Sequence, residues 1–189
     1  MKLEINSSMW KTNNEWFEKW FDTKEYHILY GDRDDNEAGV LVEKLHKKYG
    51  ANLTHILDAG CGAGRHVLAW SKLGYIVKGF DLSPESIETA KLKSRKLNLS
   101  AEFKILDMRS LLAEKEWAGA FDLVTNLFTS FGYFENTEDH ENVVQGFAHA
   151  LIPGGLLVMD YLNFNYSKSN LVPEETIEKG GHVFTIKRR

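Results

Sequence analysis

The sequence predicts an α/β fold, a three-layer α/β/α sandwich around a mostly parallel central sheet. Three observations predict it. From Thr54 onward, five short apolar runs alternate with amphipathic helical segments, the rhythm of parallel strands joined by right-handed crossovers. The runs are apolar on both faces rather than alternating, as strands covered from both sides must be. The first run, His55-Ile56-Leu57, delivers an acid and three alternate glycines to one edge of the sheet, between Asp58 and Gly64.

The elements follow in order. Residues 1–50 read as helical. Trp16, Phe17, Trp20 and Phe21 fall at i, i+1, i+4 and i+5, one helix face. A second helix is predicted from Asp34 to Tyr49, with Val40, Leu41, Leu45 and Tyr49 inward and Gly50 as its stop. The stretch EYHILYGDRDD between them reads as a loop. HILDAG is a strand and RHVLAWSKL a helix. YIVKGFDLS is a strand ending at Asp81. Pro84 to Leu97 is a helix, with Ser83 as N-cap, Pro84 at the first position and Glu85 and Glu88 near its positive end. AEFKILDM is a strand ending near Asp107, and FDLVTNLF is another. A helix covers Glu138 to Leu151, then the turn Pro153-Gly154-Gly155 leads into the strand GLLVMDYL. Asn163 to Gly181 reads as a polar loop, and HVFTIKRR as one last strand.

A length of 189 residues suits one domain. It divides into a helical cap (1–50), a core (54–162) and a partial C-terminal extension (163–189). The net charge of −4, with both signs mixed along the chain, offers no basic face for a phosphate backbone, so nucleic acid is not an expected partner. The single cysteine, Cys61, excludes an internal disulfide, and neither a leader nor a membrane span is expected. The expectation is a cytoplasmic protein. Seven histidines are scattered without ligand spacing, so no metal is expected.

The chemistry concentrates at the glycine turn. In open parallel sheets, ligands bind beyond the carboxyl ends of the strands, at the switch in strand order. Glycines there turn the chain tightly and let a ligand approach without a Cβ in the way. A dinucleotide site needs G-x-G-x-x-G. Counted from Gly60 the third glycine is Arg65, and counted from Gly62 it is Val67. The dinucleotide pattern fails in both registers, which disfavours a nucleotide-dependent oxidoreductase.

The pattern that stands there, D-x-G-x-G-x-G, resembles the first motif of class I, Rossmann-like S-adenosylmethionine-dependent methyltransferases. The resemblance implies that Gly60, Cys61, Gly62 and Gly64 hold the amino-acid end of the cofactor and that Asp58 organises its ammonium. It implies that Asp81 accepts the ribose hydroxyls, with Leu82 beside the adenine. It implies that Asp107 accepts the adenine amino group, with Met108 supplying an N–H and an apolar wall. Asn126, Leu127 and Phe128 match the fourth motif, where the chain passes the transferable methyl, and Phe131, Tyr133 and Phe134 are candidates for an acceptor pocket. Within the helical cap, Tyr26, Tyr30 and Arg33 are candidates for contact with cofactor or acceptor. His66, in the first turn of a helix, reads as a solvated or locally bonded side chain rather than a base.

The implied activity is methyl transfer to a small-molecule acceptor, giving S-adenosyl-L-homocysteine. In-line displacement needs alignment above all, worth about 7–11 kcal/mol in favourable cases, so no catalytic residue is assigned. The resemblance covers residues 54–162. The family usually finishes the sheet with two further strands; HVFTIKRR reads as one strand, so at least one is absent and the C-terminal strands read as incomplete. The expectation is a truncated or divergent member completed by a second copy through Phe184 and Ile186. A binding or regulatory module without turnover is the alternative reading.

Overall fold

The computed structural model describes residues 2–5, 16–31 and 35–188. They divide into two compact units, 34–161 and 1–33 with 162–189.

The larger unit is the predicted α/β core. Its strands are β2 (His55–Ala59), β3 (Ile76–Asp81), β4 (Ala101–Ile105), β5 (Phe121–Asn126) and β6 (Leu151–Met159). All pair in parallel, in the order β4-β3-β2-β5-β6. From β2 the chain steps outward to β3 and β4, then returns to the other side of β2 for β5 and β6. The direction of winding therefore reverses between β2 and β5, and that reversal is the switch point. The crossover helices are α4 (Arg65–Lys72), α5 (Pro84–Lys96) and α6 (Thr137–Ala150). As predicted, Ser83 caps α5, its Oγ accepting from Ser86 N at 3.0 Å.

Adjacent residues on the central strands serve opposite faces. Ile56 and Leu123 join Val67, Trp70 and Ile87 on one side, while Leu57 and Val124 join Phe80, Leu111 and Phe147 on the other. Each such fully buried side chain is worth about 1.5–3 kcal/mol relative to exposure. The two clusters make the sheet the middle layer of three. At the amino end of β2, Asp122 Oδ2 accepts from Thr54 N and His55 N, both at 2.8 Å, fixing β2 against β5.

Several expectations are corrected here. Only β2, β3 and β5 are buried on both faces; β4 and β6 are edge strands and partly exposed. Pro153-Gly154-Gly155 is not a turn before β6 but a bulge within it: Phe121 pairs with Leu151 and Leu123 with Leu156, and Gly154 takes φ 82°. The second helix, α3 (Asp35–Tyr49), buries Ala38 and Val42 and leaves Val40 exposed, so its inner face is rotated from the expected one. It packs with α4 in the larger unit, so the helical segment read over residues 1–50 is shared between both units.

The smaller unit holds β1 (Lys2–Ile5), α1 (Trp16–Trp20), α2 (Lys24–Tyr30), α7 (Phe164–Ser169), β7 (Glu174–Lys179) and β8 (His182–Lys187). Residues 2–5 are thus a strand rather than helix, parallel to β8. The stretch EYHILY is a helix, α2, whose N-cap Thr23 accepts from Tyr26 N at 3.1 Å. Residues 163–181 contain α7 and β7 rather than a loop. β7 and β8 form an antiparallel hairpin closed by Gly180 (φ 58°) and Gly181 (φ 74°), the left-handed pair a two-residue turn demands. Phe184, on β8, is fully buried.

Candidate functional site at the carboxyl edge of the sheet

The turn after β2 is built by its neighbours. Gly60 N and Cys61 N both donate to Phe80 O at 2.9 Å, continuing the β2–β3 ladder past the end of β2. Gly60, Gly62 and Gly64 have φ of 72°, 52° and 79°, left-handed values that cost other residues about 1–2 kcal/mol each. Their surroundings differ. A Cβ on Gly64 would stand 3.0 Å from Ala90 Cβ and Phe103, and one on Gly60 would stand 2.8 Å from Ser130 Cβ. A Cβ on Gly62 would meet nothing within 4 Å. Gly60 and Gly64 are therefore glycine for packing, whereas Gly62 borders open space.

Asp58, at the end of β2, is 1 % exposed. Its Oδ1 accepts from Thr125 Oγ1 at 2.6 Å, while its Oδ2 is buried without a hydrogen-bond partner among the described residues. Burial pushes the carboxyl up to about 7; the Thr125 bond and Arg65 oppose the rise and Asp81 adds to it. Asn126, at the end of β5, has the same character: Nδ2 donates to Ala59 O at 2.9 Å, and Oδ1 is buried without a partner among the described residues. Two orphaned acceptors thus flank the switch point. Unmade buried bonds of this kind cost about 1–3 kcal/mol and need an explanation.

Asp81 faces the turn from β3. Its Oδ2 accepts from Gly62 N at 2.7 Å and its Oδ1 from Ser83 N at 3.0 Å. Leu82 is half-buried beside it. Leu106 N donates to Asp81 O at 3.0 Å, which brings the end of β4 alongside. Asp107 there caps the short 3-10 helix Met108–Ala113 and pairs with Arg109. Met108 reaches across to the turn, its Cε 3.3 Å from where a Gly60 Cβ would lie.

The segment after β5 is strained. Phe128 and Thr129 both take left-handed φ, 60° and 56°, at a cost of about 1–3 kcal/mol each. Asp160, which follows β6, holds them. Its carboxylate accepts from Phe128 N at 3.1 Å, its carbonyl accepts from Thr129 N at 3.2 Å, and its N–H donates to Asn126 O at 2.9 Å. The Phe128 ring lies 5.2 Å from the Arg65 guanidinium. Leu127 is buried.

Asp58, the glycine turn, Asp81, Leu82, Asp107, Met108, Asn126, Leu127 and Phe128 all lie at the carboxyl edge of the larger unit, as expected. Tyr26 and Tyr30 lie in the smaller unit, their rings 5.2 Å apart. Arg33 lies outside the described residues. His66 is corrected: it is buried rather than solvated, and burial, then Arg65, lower it to about 4. Cys61 is buried and burial holds its thiol well above the usual range. Sequence reasoning did not single out Thr125, Ser130, Arg109 or Asp160. For Asp160 a signal existed, since it ends an apolar run as Asp58 and Asp81 do. Thr125 carried none, because a threonine inside a buried strand reads as packing.

An open α/β sheet with a glycine turn and orphaned buried acceptors at its switch point has the architecture of proteins that bind small ligands at that edge. Residues 56–155 match the family described as a methyltransferase domain. That is more than half of the chain, which belongs to this family, the class I S-adenosylmethionine-dependent methyltransferases. The chain is similar to a ubiquinone biosynthesis O-methyltransferase of Xanthomonas axonopodis pv. citri, 32 % identical over 108 residues, 57 % of this chain and 43 % of that one. It thus spans less than half the length of that curated relative. A S-adenosylmethionine-dependent methyltransferase of Clostridium acetobutylicum shares the fold with TM-score 0.64 at 20 % identity, over 80 % of this chain and 59 % of that one. So does magnesium protoporphyrin IX methyltransferase of Synechocystis PCC 6803, solved with the cofactor bound, with TM-score 0.60 at 18 % identity over 86 % of both chains. Among the described residues, no helix is long and apolar enough to cross a membrane.

Proposed function

We propose that the chain binds S-adenosyl-L-methionine at the β2–β5 switch point and transfers its methyl group to a small-molecule acceptor, releasing S-adenosyl-L-homocysteine. The observation that carries this is Asp58 Oδ2, buried and unpartnered beside a turn whose Gly62 borders open space. An α-ammonium group supplies the missing donor, directly or through one water, and Asn126 Oδ1 takes a second. The bound cofactor supplies a sulfonium-activated methyl. The chain's own residues orient and hold. Gly60, Cys61, Gly62 and Gly64 give backbone to the amino-acid end, and the Asp81 carboxylate, oriented by Gly62 N and Ser83 N, accepts from the ribose diol. Leu82 and Met108 flank the base, Asp107 accepts from its amino group, and Leu127 and Phe128 border the path to the acceptor.

The same reading includes a cytoplasmic location, which suits a single buried thiol. It includes a second copy of the chain as a partner, for which the half-buried Ile186 on β8 is the candidate contact. Light scattering at the monomer mass of 21.6 kDa would overturn that. Titration calorimetry with S-adenosylmethionine, S-adenosylhomocysteine and NAD tests the cofactor. Micromolar binding of the two sulfur compounds and none of NAD is expected; absence of binding by both sulfur compounds overturns the proposal.

A further inference from the structure

One residue grips the segment that follows β5. Asp160 N donates to Asn126 O at 2.9 Å, Asp160 O accepts from Thr129 N at 3.2 Å, and Asp160 Oδ2 accepts from Phe128 N at 3.1 Å. The two backbone bonds would form with any residue at 160 that keeps its N–H. The third needs the side chain, but an amide or a hydroxyl could accept it as well. What aspartate adds is a charge. Asp160 is exposed, and among the described residues no cation pairs with its carboxylate.

The opposite charge reaches the same segment from α4. The Arg65 guanidinium carbon lies 5.2 Å from the centre of the Phe128 ring, and the Arg65 side chain is 13 % exposed. Its Nη1 lies 3.8 Å from Glu37 Oε2, a loose pair. Phe128 therefore carries a cation against its ring and an anion on its N–H. A sulfonium bound at this edge meets Arg65 as a like charge, which Coulomb repulsion disfavours. The thioether left after methyl transfer is neutral and meets no such penalty. Asp160 supplies the counter-charge. Asp58 and Asp81 do not serve this purpose, because the ammonium and ribose assigned to them are common to both compounds.

We propose that Asp160 is a specificity-determining residue, whose fixed charge beside the segment after β5 shifts the balance of affinity toward the sulfonium cofactor and away from its neutral thioether product. The inference rests on the cofactor reading above. It goes beyond it by giving a residue after β6 a part in the exchange of product for fresh cofactor. Asp160→Asn keeps an acceptor for Phe128 N and loses only the charge, and Asp160→Ala loses both.

The test is calorimetry with S-adenosylmethionine and S-adenosylhomocysteine on wild type and both variants, with thermal melting alongside. The quantity to read is the ratio of the two affinities. Asp160→Asn should move it toward the product by about three- to fivefold, the upper range for an exposed charge pair. Asp160→Ala should move it at least as far and weaken both compounds besides, because the left-handed Phe128 loses a hold. At about 0.5 M salt the gap between wild type and Asp160→Asn should narrow, since an exposed charge is screened. If Asp160→Ala does not fold, Asp160→Asn decides alone. An unchanged ratio in Asp160→Asn overturns the inference. So does an equal fall in both affinities, the mark of a merely structural role, or a gap indifferent to salt. Failure of wild type to bind either compound instead overturns the cofactor reading.

Discussion

Replacing Asp58 with asparagine should change the sign of its effect on stability with pH. The folded carboxyl titrates at about 7, against a model value of 3.8. The folded state therefore holds a proton that the unfolded chain releases. Between those values the unfolded state binds fewer protons, and stability falls as pH rises. A displacement of about three units at 1.36 kcal/mol each amounts to roughly 4 kcal/mol over the whole window, of which about 3 kcal/mol falls between pH 5 and pH 8. Asparagine keeps the acceptor for Thr125 but puts an amide donor where Oδ2 has no partner, a cost of about 1–3 kcal/mol that does not vary with pH. Asp58→Asn should therefore be destabilising or neutral at pH 5 and stabilising at pH 8. The assay is urea unfolding of both proteins at the two pH values. The quantity to read is the difference between variant and wild type, because His66 acts the opposite way in the wild-type profile. A change of less than about 1 kcal/mol in that difference between pH 5 and pH 8 would refute the reasoning about Asp58.

The remaining predictions concern the same edge of the sheet. His66, lowered from 6.5 to about 4, resists a proton that the unfolded chain accepts, so its contribution is lost as pH falls from 6.5 toward 4; His66→Gln should flatten that acid-side loss in urea melts. S-adenosylhomocysteine, which keeps the α-ammonium, should bind more weakly as pH falls below 7, by up to about tenfold per unit. Calorimetry on Asp58→Asn should show that dependence removed. Gly62→Ala should cost about 1–2 kcal/mol from its left-handed φ alone and abolish cofactor binding by filling the open space. Gly64→Ala should cost more, because its Cβ also meets Ala90 and Phe103, and thermal melting will rank the two. Asp81→Ala should weaken S-adenosylhomocysteine binding by tenfold or more, on the order of 1.5–3 kcal/mol.

The core was legible because its signals are local and redundant. HIL, YIVKGF and FDLVTN are apolar on both faces only because they are the inner strands. The Ser83–Pro84 entry to α5 stated its own boundary. The acids at 58, 81 and 107 could be placed at strand ends by counting. Legibility failed where tertiary pairing decides the state. Lys2–Ile5 is a strand only because β8 lies beside it, 180 residues later. Glu174–Lys179 is mostly charged, and its alternation shows only once paired with β8, although Gly180-Gly181 was a turn signal of the right length. EYHILY reads as a loop because it is aromatic and charged, and the Thr23 cap that starts its helix carries no spacing signal strong enough to mark it. Within the site, chain order named the strand-end acids but not their partners. Thr125 and Asn126 come to Asp58 and Ala59 from about 67 residues away, and no spacing rule links them.

The consecutive left-handed residues Phe128 and Thr129 set folding against geometry. Glycine at either position would relieve strain and add stability, by about 1 kcal/mol where the backbone alone decides. At position 128 it would also remove the ring that rests over Arg65, and it would leave the Asp160 anchors holding a segment free to take other shapes. A library screened for thermal tolerance alone would therefore enrich the glycine variants here. The protein so improved would have traded away the ring beside Arg65 and the fixed course of the chain after β5.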